Sequence, residues 1–527
     1  MENKNPIFSI KNFRSFGEQG ADFELAPITV LTGCNSAGKS SLVKALLLLS
    51  RYLTSAFPDK MDIDSCYDLD DSYFGVLQIS SKDLTLGNYD KLINDGSNGK
   101  IEISYTIFSQ YLQEYVRVKR TFQKRDEKNI SKDILNGGVC ESYLVERLDN
   151  TPILKTSGFS DNFWSRGNLS AIEENFIRFE NTCKAEKDFD YIQTASEEGI
   201  AKEKLEELFE QIKSFERNNP TIKGLHSLES MNMISDWNDL WSNKDRVNKI
   251  KEHVFVNNPK DCGENFIKRD VFANLVNNEV IAPFFLRDIN YIDSSSAIIK
   301  RIYSIEDNDK ICLALRKLYN RIEENRYGDT YLNKPYHFIN KWIKRFGIGE
   351  RISIEGTEEG LGLLMYLIKD EKKRLLADEG YGVTQLVSLL LNIENQIPDE
   401  AYMGRSECPE SFICVEEPEN HLHPKFQSML AEMFVEAYQK YNIHFVIETH
   451  SEYLIRKLQV MVADNATKLK ASNVSLNYVD KDERGVATNR KIEILEDGRL
   501  SEPFGPGFFD EADTLAMNLM KYKARRK

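Results

Sequence analysis

The chain has no paired cysteines and no long hydrophobic run. Its eight cysteines stand singly, without a CxxC pair, so the sequence predicts neither a zinc knuckle nor a disulfide framework. The longest apolar run, residues 45–49, is far too short to cross a bilayer. Residues 1–8 carry no apolar signal segment. We therefore expect a cytoplasmic protein in a reducing compartment, with no membrane partner.

The sequence also lacks an excess of positive charge. Its formal net charge is −14, whereas a protein that coats nucleic acid without sequence preference needs a positive surface to neutralise phosphates. Contact with nucleic acid would therefore have to use local basic patches. The candidates are Arg117, Lys119, Arg120, Lys124 and Arg125, then Lys341, Lys344 and Arg345, and finally Lys521, Lys523, Arg525, Arg526 and Lys527. The alternative is that each patch is an ordinary solvated strand edge or helix face.

Length and composition indicate a globular protein with more than one lobe. Apolar residues make up 41% of the chain and charged residues 29%, which is typical of folded domains, and 527 residues exceed what one core usually organises. Short strands alternate with helical stretches outside a charged middle segment. We predict an α/β fold, with a mixed sheet flanked by helices. Its parts are an N-terminal lobe over 1–108, a mainly helical insertion over 109–280 and a C-terminal lobe over 281–527.

A phosphate-binding loop is predicted between an apolar strand and an amphipathic helix. Residues 33–40 fit GxxxxGK[ST] in full, after a strand at 28–31. The glycines let backbone N–H groups face a phosphate, and the helix N-terminus adds partial positive charge. Lys39 would reach the β- and γ-phosphates of ATP, and the Ser40 hydroxyl would bind Mg²⁺. The predicted nucleotide-binding residues of the loop are Gly33, Asn35, Ser36, Ala37, Gly38, Lys39, Ser40 and Ser41.

Two adjacent acids follow a second apolar strand. Residues 412–415 lead directly into Glu416 and Glu417. A nucleotide site needs a carboxylate to hold the metal and its waters, and a base to orient the attacking water. We therefore predict that Glu416 binds the metal and that Glu417 is catalytic. Two alternatives stay open: the acids simply end a strand, or they form a metal cluster with His421 and His423.

A histidine and a glycine-rich helix start complete the candidate site. His450 follows a third short strand, and strand ends are where α/β sheets present ligand contacts, so we predict a catalytic role in sensing the γ-phosphate. Gly382, Thr384 and Gln385 precede an apolar helix. Thr384 can cap this helix, and the amides at its start can bind an anion. The alternatives are an idle loop histidine and a plain turn.

Taken in order, these motifs resemble those of the ABC-type ATPases shared by SMC-like and OLD-like proteins. The most specific segments are EEPENHLHP at 416–424 and ETHS at 448–451, and the resemblance covers residues 1–100 and 281–527. It implies an ABC-type ATPase head in which two subunits sandwich ATP.

In that family the segment matching Gly382, Thr384 and Gln385 is the signature, which contacts the nucleotide of a second subunit, and His450 takes the switch position. Two departures from the family pattern concern single residues. Glu416 stands where many relatives carry Asp, and Thr384 stands where the signature usually has Ser. Both retain the functional group.

Segments outside these motifs resemble the PtuA-like ATPases of Septu and retron-associated anti-phage defence systems. They are IKNFRSF at 10–16, Leu86-Gly87, YID at 291–293 running to Arg301, and residues 497–510. This resemblance implies a dimer or higher oligomer joined through ATP-sandwiched heads, and a separately encoded HNH-type nuclease as partner. DNA, or the RNA and DNA of a retron, is then the candidate ligand of the basic patches. Arg14 is expected to approach the nucleotide, as in SMC-like relatives.

The leading functional hypothesis is an ATPase, with slow or regulated hydrolysis and no nuclease activity of its own, that scaffolds or regulates the nuclease. One alternative is an OLD-like nuclease, which would need a further metal-binding carboxylate domain. Asp480 and Asp482 follow a strand in a pattern that favours a hairpin instead. An SMC-like DNA-repair ATPase is disfavoured because no heptad repeat predicts a coiled-coil arm. The long insertion disfavours a transporter subunit.

Overall fold

The computed structural model describes residues 5–56, 76–77, 79–81, 84–109, 114–124, 137–157, 286, 289–293, 299–304, 306–307, 310–327, 336–357, 361–398, 410–505 and 508–525. The chain divides into two compact units. The first comprises Met1–Asn5, Ala21–Lys44 and Ile289–Lys527, and the second comprises Pro6–Gly20 and Ala45–Asp288. No helix in the described part of the chain is long and apolar enough to cross a membrane.

Nineteen strands are described. They are β1 Ile7–Lys11, β2 Ala21–Glu24, β3 Ile28–Gly33, β4 Val76–Leu77, β5 Ser80–Ser81, β6 Leu84–Thr85, β7 Lys100–Ser109, β8 Glu114–Lys124, β9 Gly138–Arg147, β10 Pro152–Ser157, β11 Ile289–Ile292, β12 Tyr303–Ser304, β13 Arg351–Gly356, β14 Gly362–Lys369, β15 Lys372–Leu375, β16 Ser411–Glu416, β17 Ile443–Glu448, β18 Val474–Lys481 and β19 Ala487–Ile492.

Eight α-helices are described. They are α1 Lys39–Ala56, α2 Tyr89–Leu92, α3 Lys310–Tyr327, α4 His337–Phe346, α5 Tyr381–Gln396, α6 Pro424–Tyr441, α7 Glu452–Ala463 and α8 Glu511–Arg525. Three short 3-10 turns lie at Leu376–Asp378, Asn465–Thr467 and Ala471–Asn473.

The first unit is built on a six-stranded sheet in the order β11-β16-β17-β3-β18-β19. Its first five strands run parallel and β19 is antiparallel to β18. Strand β3 is buried along its whole length, which explains why its sequence contains no charged residue and does not alternate between apolar and charged positions. Because the strands are parallel, the segments that follow β3, β16 and β17 all lie at one edge of the sheet.

The core of the first unit joins this sheet to helices α3 to α7. Ile28 on β3, Trp342 on α4, Leu390 on α5 and Phe434 on α6 belong to one buried cluster. A smaller antiparallel sheet, β12-β14-β13 with β15 paired to β14, adds Ile352 and its neighbours to that cluster. The predicted α/β class, with a mixed sheet and flanking helices, is confirmed.

The second unit contains antiparallel strands in the order β10-β9-β8-β7-β1, with β4 paired to β9. Strands β8 to β10 occupy residues where we predicted a mainly helical insertion starting at 109, so the start of that segment needs correction. In β8 the even-numbered residues from Val116 to Phe122 are buried and the odd-numbered ones are partly exposed. A half-buried strand carries polar residues at every second position. The charged residues of β8 occupy such positions, although a segment of this composition is also typical of an exposed helix. Residues 158–280 of the predicted insertion lie outside the described residues.

Candidate functional site

The ends of three parallel strands bring the predicted site residues to one edge of the sheet. Strand β17 lies between β3 and β16, and its last residue, Glu448, is in register with Glu416 on one side and Leu31 on the other. The phosphate loop starts two residues after Leu31. The loop, the two acids and the segment leading to His450 therefore meet at this edge.

The phosphate loop has a backbone that requires glycine at its start. Gly33 has a φ of +128° and Gly38 a φ of +121°, values that side chains disfavour. A Cβ atom at Gly33 would lie 2.1 Å from the carbonyl oxygen of Val479 on β18. The next N–H, from Cys34, donates to that same oxygen at 3.2 Å. Strand β18 thus fixes where the loop begins.

Lys39 is held inside the loop. Its side chain is buried, and Nζ donates to the carbonyl oxygens of Cys34 at 2.9 Å and of Gly33 at 3.3 Å. Burial lowers the pKa of Lys39, while the nearby carboxylate of Glu448 opposes this shift. The ammonium group is therefore positioned at the loop, where phosphate oxygens are expected to bind it.

The other predicted loop residues divide into exposed and buried positions. Asn35 and Ser36 are exposed, with Ser36 in the left-handed region, whereas Ala37 is buried. Ser41 is also buried, and its N–H donates to the carbonyl of Gly38. The exposed positions are those at which the loop can reach a ligand directly.

Ser40 and Glu448 are joined by a hydrogen bond. The Ser40 hydroxyl donates to Oε1 of Glu448 at 3.0 Å, which leaves the lone pairs of the hydroxyl oxygen available to a cation. Burial raises the pKa of Glu448 to about 7, and the charge of Glu416 adds to this shift, whereas Ser40 and Lys39 oppose it. The sequence alone predicts no role for Glu448, although this residue ends a strand as Glu416 does.

Glu416 lies beside Tyr291 on the neighbouring strand β11 and Asp293, the first residue after that strand. The Tyr291 hydroxyl donates a hydrogen bond to Glu416. Burial raises the pKa of Glu416, and Asp293 raises it further. Asp293, Glu416 and Gln385 also line one small cavity at this edge.

The oxygen atoms at this edge fit a magnesium ion. Oε1 of Glu416 and Oε2 of Glu448 are buried without a hydrogen-bond partner among the described residues, and hydroxyl and carboxylate oxygens are the ligands that Mg²⁺ prefers. No group of three or more His, Cys, Asp or Glu side chains within the described ranges forms a metal cluster by itself. Magnesium at a phosphate loop needs only one or two protein ligands, because substrate phosphates and waters complete its shell.

Glu417 adopts a backbone conformation that non-glycine residues rarely take. Its φ is +46°, and its N–H donates to the carbonyl of Glu448 at 2.8 Å. The Asn420 amide donates to Oε2 of Glu417 at 2.6 Å. Strained residues of this kind concentrate at functional sites, and these two bonds fix both the backbone and the carboxylate.

The backbone N–H of His450, not its imidazole ring, makes the hydrogen bond that holds this residue in position. Its N–H donates to Oε1 of the buried Glu419 at 2.6 Å, while the side chain is exposed. Partial burial lowers the pKa of His450, and the charge of Lys39 lowers it further. This shift favours the neutral imidazole, which can donate one hydrogen bond to a ligand.

The signature-like segment differs from our prediction in one respect. Helix α5 begins at Tyr381, its N-cap is Gly380, and no side chain caps it. Thr384 lies inside the first turn and its hydroxyl donates to the carbonyl of Tyr381 at 2.8 Å. The predicted capping by Thr384 is therefore wrong, because the N-cap is Gly380, four residues before Thr384.

Gln385 contacts the catalytic segment of its own chain. The side chain is buried, and Nε2 donates to the carbonyl of Glu417 at 3.3 Å. Gly382 lies against the chain after Glu417, since a Cβ atom there would be 2.8 Å from the carbonyl oxygen of His421. Tyr381 is the most exposed residue of this helix start. The predicted contact of this segment with a second subunit's nucleotide stays a prediction.

Arg14 belongs to the second unit. It has a φ of +53°, and its N–H donates to the carbonyl of Leu92 at 2.6 Å. Its expected approach to the nucleotide stays a prediction.

The first two basic patches are largely occupied by contacts within the chain. Arg117 and Lys119 both pair with the buried carboxylate of Glu146, at 3.2 and 3.4 Å. Arg120 is fully buried and donates to the Tyr105 hydroxyl. The remaining pairs are Lys124 with Asp90, Lys341 with Glu436, and Arg345 with Glu432. These contacts favour a structural role over nucleic-acid binding for both patches. Arg125 lies outside the described residues.

A model of the AAA ATPase domain family matches residues 7–455. The chain belongs to this family. The match includes the phosphate loop, both acids and His450, so the AAA ATPase is an ATP-binding protein whose nucleotide site is expected at the sheet edge. A second family model, described as a protein of unknown function (DUF3696), matches residues 469–519. A comparison of this AAA ATPase with curated proteins found no match.

Solved structures similar to the AAA ATPase include SMC head domains. An Smc head bound to the C-winged helix domain of ScpA is 11% identical over 93% of this chain and 98% of that chain, with a TM-score of 0.44. A Pyrococcus furiosus Smc head with an extended coiled coil, bound to the C-terminal domain of ScpA, is 12% identical over 98% and 100%, with a TM-score of 0.37. The Thermotoga maritima SMC head is 11% identical over 93% and 100%, with a TM-score of 0.35. Sequence identities and TM-scores this low support no conclusion about function.

Replacing Glu448 with glutamine is expected to stabilise the nucleotide-free AAA ATPase, and to do so more at alkaline pH. Glutamine keeps an acceptor for Ser40 but removes the charge. Because the pKa of Glu448 is raised to about 7, the folded protein binds more protons than the unfolded chain from the usual glutamate pKa up to about 7. Stability therefore falls as pH rises through this window. We expect the variant to gain ~2 kcal/mol more at about pH 8 than at about pH 5.

Thermal unfolding midpoints at the two pH values measure this difference. Glu496→Gln is the matched control, because Glu496 is exposed and should show no pH-dependent gain. Equal effects of Glu448→Gln at both pH values would show that Glu448 ionises freely.

Proposed function

We propose that this AAA ATPase is an ABC-type ATPase subunit that closes around ATP as a dimer and regulates a separate nuclease in anti-phage defence. The observation that carries the nucleotide part is the meeting of the phosphate loop, Glu416, Glu417, Glu448 and His450 at one sheet edge. The defence part is supported by the sequence resemblance to PtuA-like ATPases.

Binding of ATP rests on the phosphate loop. Lys39 exchanges its two carbonyl partners for oxygens of the β- and γ-phosphates, since charged hydrogen bonds are stronger than neutral ones. Ser40 and Glu416 would hold Mg²⁺, with Glu448 orienting the Ser40 hydroxyl. The ion would supply charge neutralisation on the phosphates as the bond to the γ-phosphate breaks.

Hydrolysis rests on Glu417 and His450. Glu417 accepts a proton from, or orients, the water that attacks the γ-phosphate, and Asn420 keeps its carboxylate in one position. The neutral His450 donates a hydrogen bond to the γ-phosphate. Gln385 connects helix α5 to the carbonyl of Glu417, so movement of the signature-like segment changes the position of the base. This connection provides a way to couple hydrolysis to a second subunit.

The OLD-like alternative gains no support from its candidate acids. Asp480 is paired with Thr488 in the hairpin of β18 and β19. Asp482 lies in the turn, where its side chain accepts from the N–H groups of Arg484 and Val486 and pairs with the Arg484 guanidinium. Asp482 thus stabilises a turn, and this supports the hairpin interpretation.

Native mass measurement of the chain co-expressed with its genomic neighbours tests the proposal. With ATP and Mg²⁺ we expect an even number of ATPase subunits bound to an HNH-type nuclease, and without nucleotide a smaller assembly. Lys39→Ala is the matched control and should give the smaller assembly under both conditions. A subunit number that does not respond to ATP would contradict the sandwich dimer. A complex without any nuclease would contradict the defence role.

A further inference from the structure

Helix α8 presents apolar side chains to solvent over its described length. Leu515, Met517, Leu519, Met520 and Tyr522 are each between 54% and 69% exposed. An isolated helix of 15 residues is only marginally stable in water, so burial of an apolar face must supply the remaining free energy. None of the five side chains is buried by the described part of the chain.

Four of the five exposed residues lie on one face of the helix, and Met517 lies outside it. Leu515, Leu519 and Tyr522 are spaced by four and three residues, and Ala516 and Met520 lie beside them. The opposite face carries Thr514, Asn518 and Lys521. This is the pattern of a helix that packs against one partner surface.

The charges of α8 are separated along its axis. Asp510 and Glu511 lie at the start of the helix, and residues 521–527 contain five basic residues. In an antiparallel pair of identical helices, the acidic start of each would face the basic end of the other. A parallel pair would instead place like charges together at both ends. The helix is therefore complementary to itself in one orientation.

We propose that α8 pairs antiparallel with α8 of a second copy of this chain. Such a contact is isologous, with the same surface used by both copies, and the Leu515–Leu519 segment lies at its centre. The contact is distinct from the nucleotide site and forms without ATP. Because a single pair of short helices buries less than a standard interface, the association is weak alone and adds to other contacts between the two copies.

Charge favours a second copy over a membrane surface. An anionic bilayer would attract the basic end but repel the acidic start of α8, whereas an antiparallel second copy places an opposite charge at both ends. Amphipathic helices that bind membranes carry basic residues along their polar face. In α8 the polar face of Thr514, Asn518, Lys521 and Arg525 is basic only near the C-terminal end of the helix.

Sedimentation of the nucleotide-free full-length chain over a concentration series tests the proposal. We expect a monomer–dimer equilibrium, and we expect the combined variant Leu515→Asp, Leu519→Asp to remain monomeric with an unchanged thermal midpoint. Val460→Asp is the matched control, because Val460 is 59% exposed on α7 and should leave the equilibrium unchanged. A monomeric wild type, or a dimer that survives in the combined variant, would overturn the proposal.

Two charge reversals test the orientation. Glu511 lies four residues before Leu515 and Lys523 four residues after Leu519, so both flank the apolar face. Glu511→Lys and Lys523→Glu should each weaken the dimer by about tenfold, because each replaces two attractive pairs by two repulsive ones. A mixture of the two variants should recover the association, since the mixed pair restores opposite charges without changing either helix. Unchanged association of both single variants would overturn the antiparallel arrangement. Binding of a monomeric wild type to anionic vesicles, lost in the combined leucine variant, would assign α8 to a membrane instead.

Discussion

Replacing Lys39 with alanine is expected to weaken ATP binding by about a hundredfold or more, because the phosphates lose a buried cation that is already positioned to meet them. The ammonium group of Lys39 is held by the carbonyl oxygens of Gly33 and Cys34, so little ordering is needed when phosphate replaces them. Equilibrium titration with a fluorescent ATP analogue measures the affinity.

The control for this variant is Lys425→Ala, which removes an exposed lysine outside the site. It should bind ATP as tightly as the wild type. Loss of Lys39 also removes two hydrogen bonds within the loop, so the thermal midpoint of the variant must be compared with that of the wild type. A folded Lys39→Ala protein with undiminished affinity would refute the assignment of the phosphate loop.

Replacing Glu417 with glutamine is expected to slow ATP hydrolysis by about a hundredfold to ten-thousandfold, the usual contribution of a general base. Glutamine has the same shape and can still accept a hydrogen bond from Asn420, so the affinity for ATP should change little. If two heads close around ATP, the variant should also accumulate as a nucleotide-bound dimer. Steady-state phosphate release and sedimentation with ATP measure the two effects.

Glu416→Gln is the informative comparison for that variant. It removes a carboxylate next to the base but affects metal binding, so its activity should recover partly as the Mg²⁺ concentration is raised. Glu417→Gln should not respond to added Mg²⁺. Normal turnover by Glu417→Gln would remove this residue from the catalytic role, and recovery with Mg²⁺ would exchange the roles of the two acids.

Much of the candidate site could be predicted from local sequence. Three of its motifs directly follow a short strand rich in apolar residues, and the structure confirms strands ending at Gly33, Glu416 and Glu448. A phosphate loop also needs positive φ angles that favour glycine. The glycines at positions 33 and 38 make this requirement visible in the sequence. Motifs of this kind can be found without knowing the sheet order.

What could not be predicted depends on contacts between distant segments. Glu448 is 408 residues from Ser40, and only the register of β16, β17 and β3 places it there. Asp293 lies beside Glu416 because β11 pairs with β16. The inward position of Gln385 similarly depends on how α5 packs against the chain after β16. The spacing of apolar residues within one segment does not indicate which distant segments lie beside it in the fold.

The strands at the start of the predicted insertion were missed for a different reason. The charged residues of β8 were interpreted as part of a helical insertion, but Arg117 and Lys119 lie on the more exposed side of a strand and pair with Glu146 on β9. In a half-buried strand the apolar residues stand at every second position, so few of them are adjacent. Composition alone cannot distinguish such a strand from an exposed helix, whereas the alternation from Val116 to Phe122 can.

A crystal structure of Glu417→Gln grown with ATP and Mg²⁺ tests the central claim most directly. We predict the triphosphate in the loop, with Lys39 on its β- and γ-phosphates, the metal beside Ser40 and Glu416, and residue 417 facing the γ-phosphate. Nucleotide bound elsewhere, or a loop occupied with residue 417 turned away from the γ-phosphate, would contradict the account.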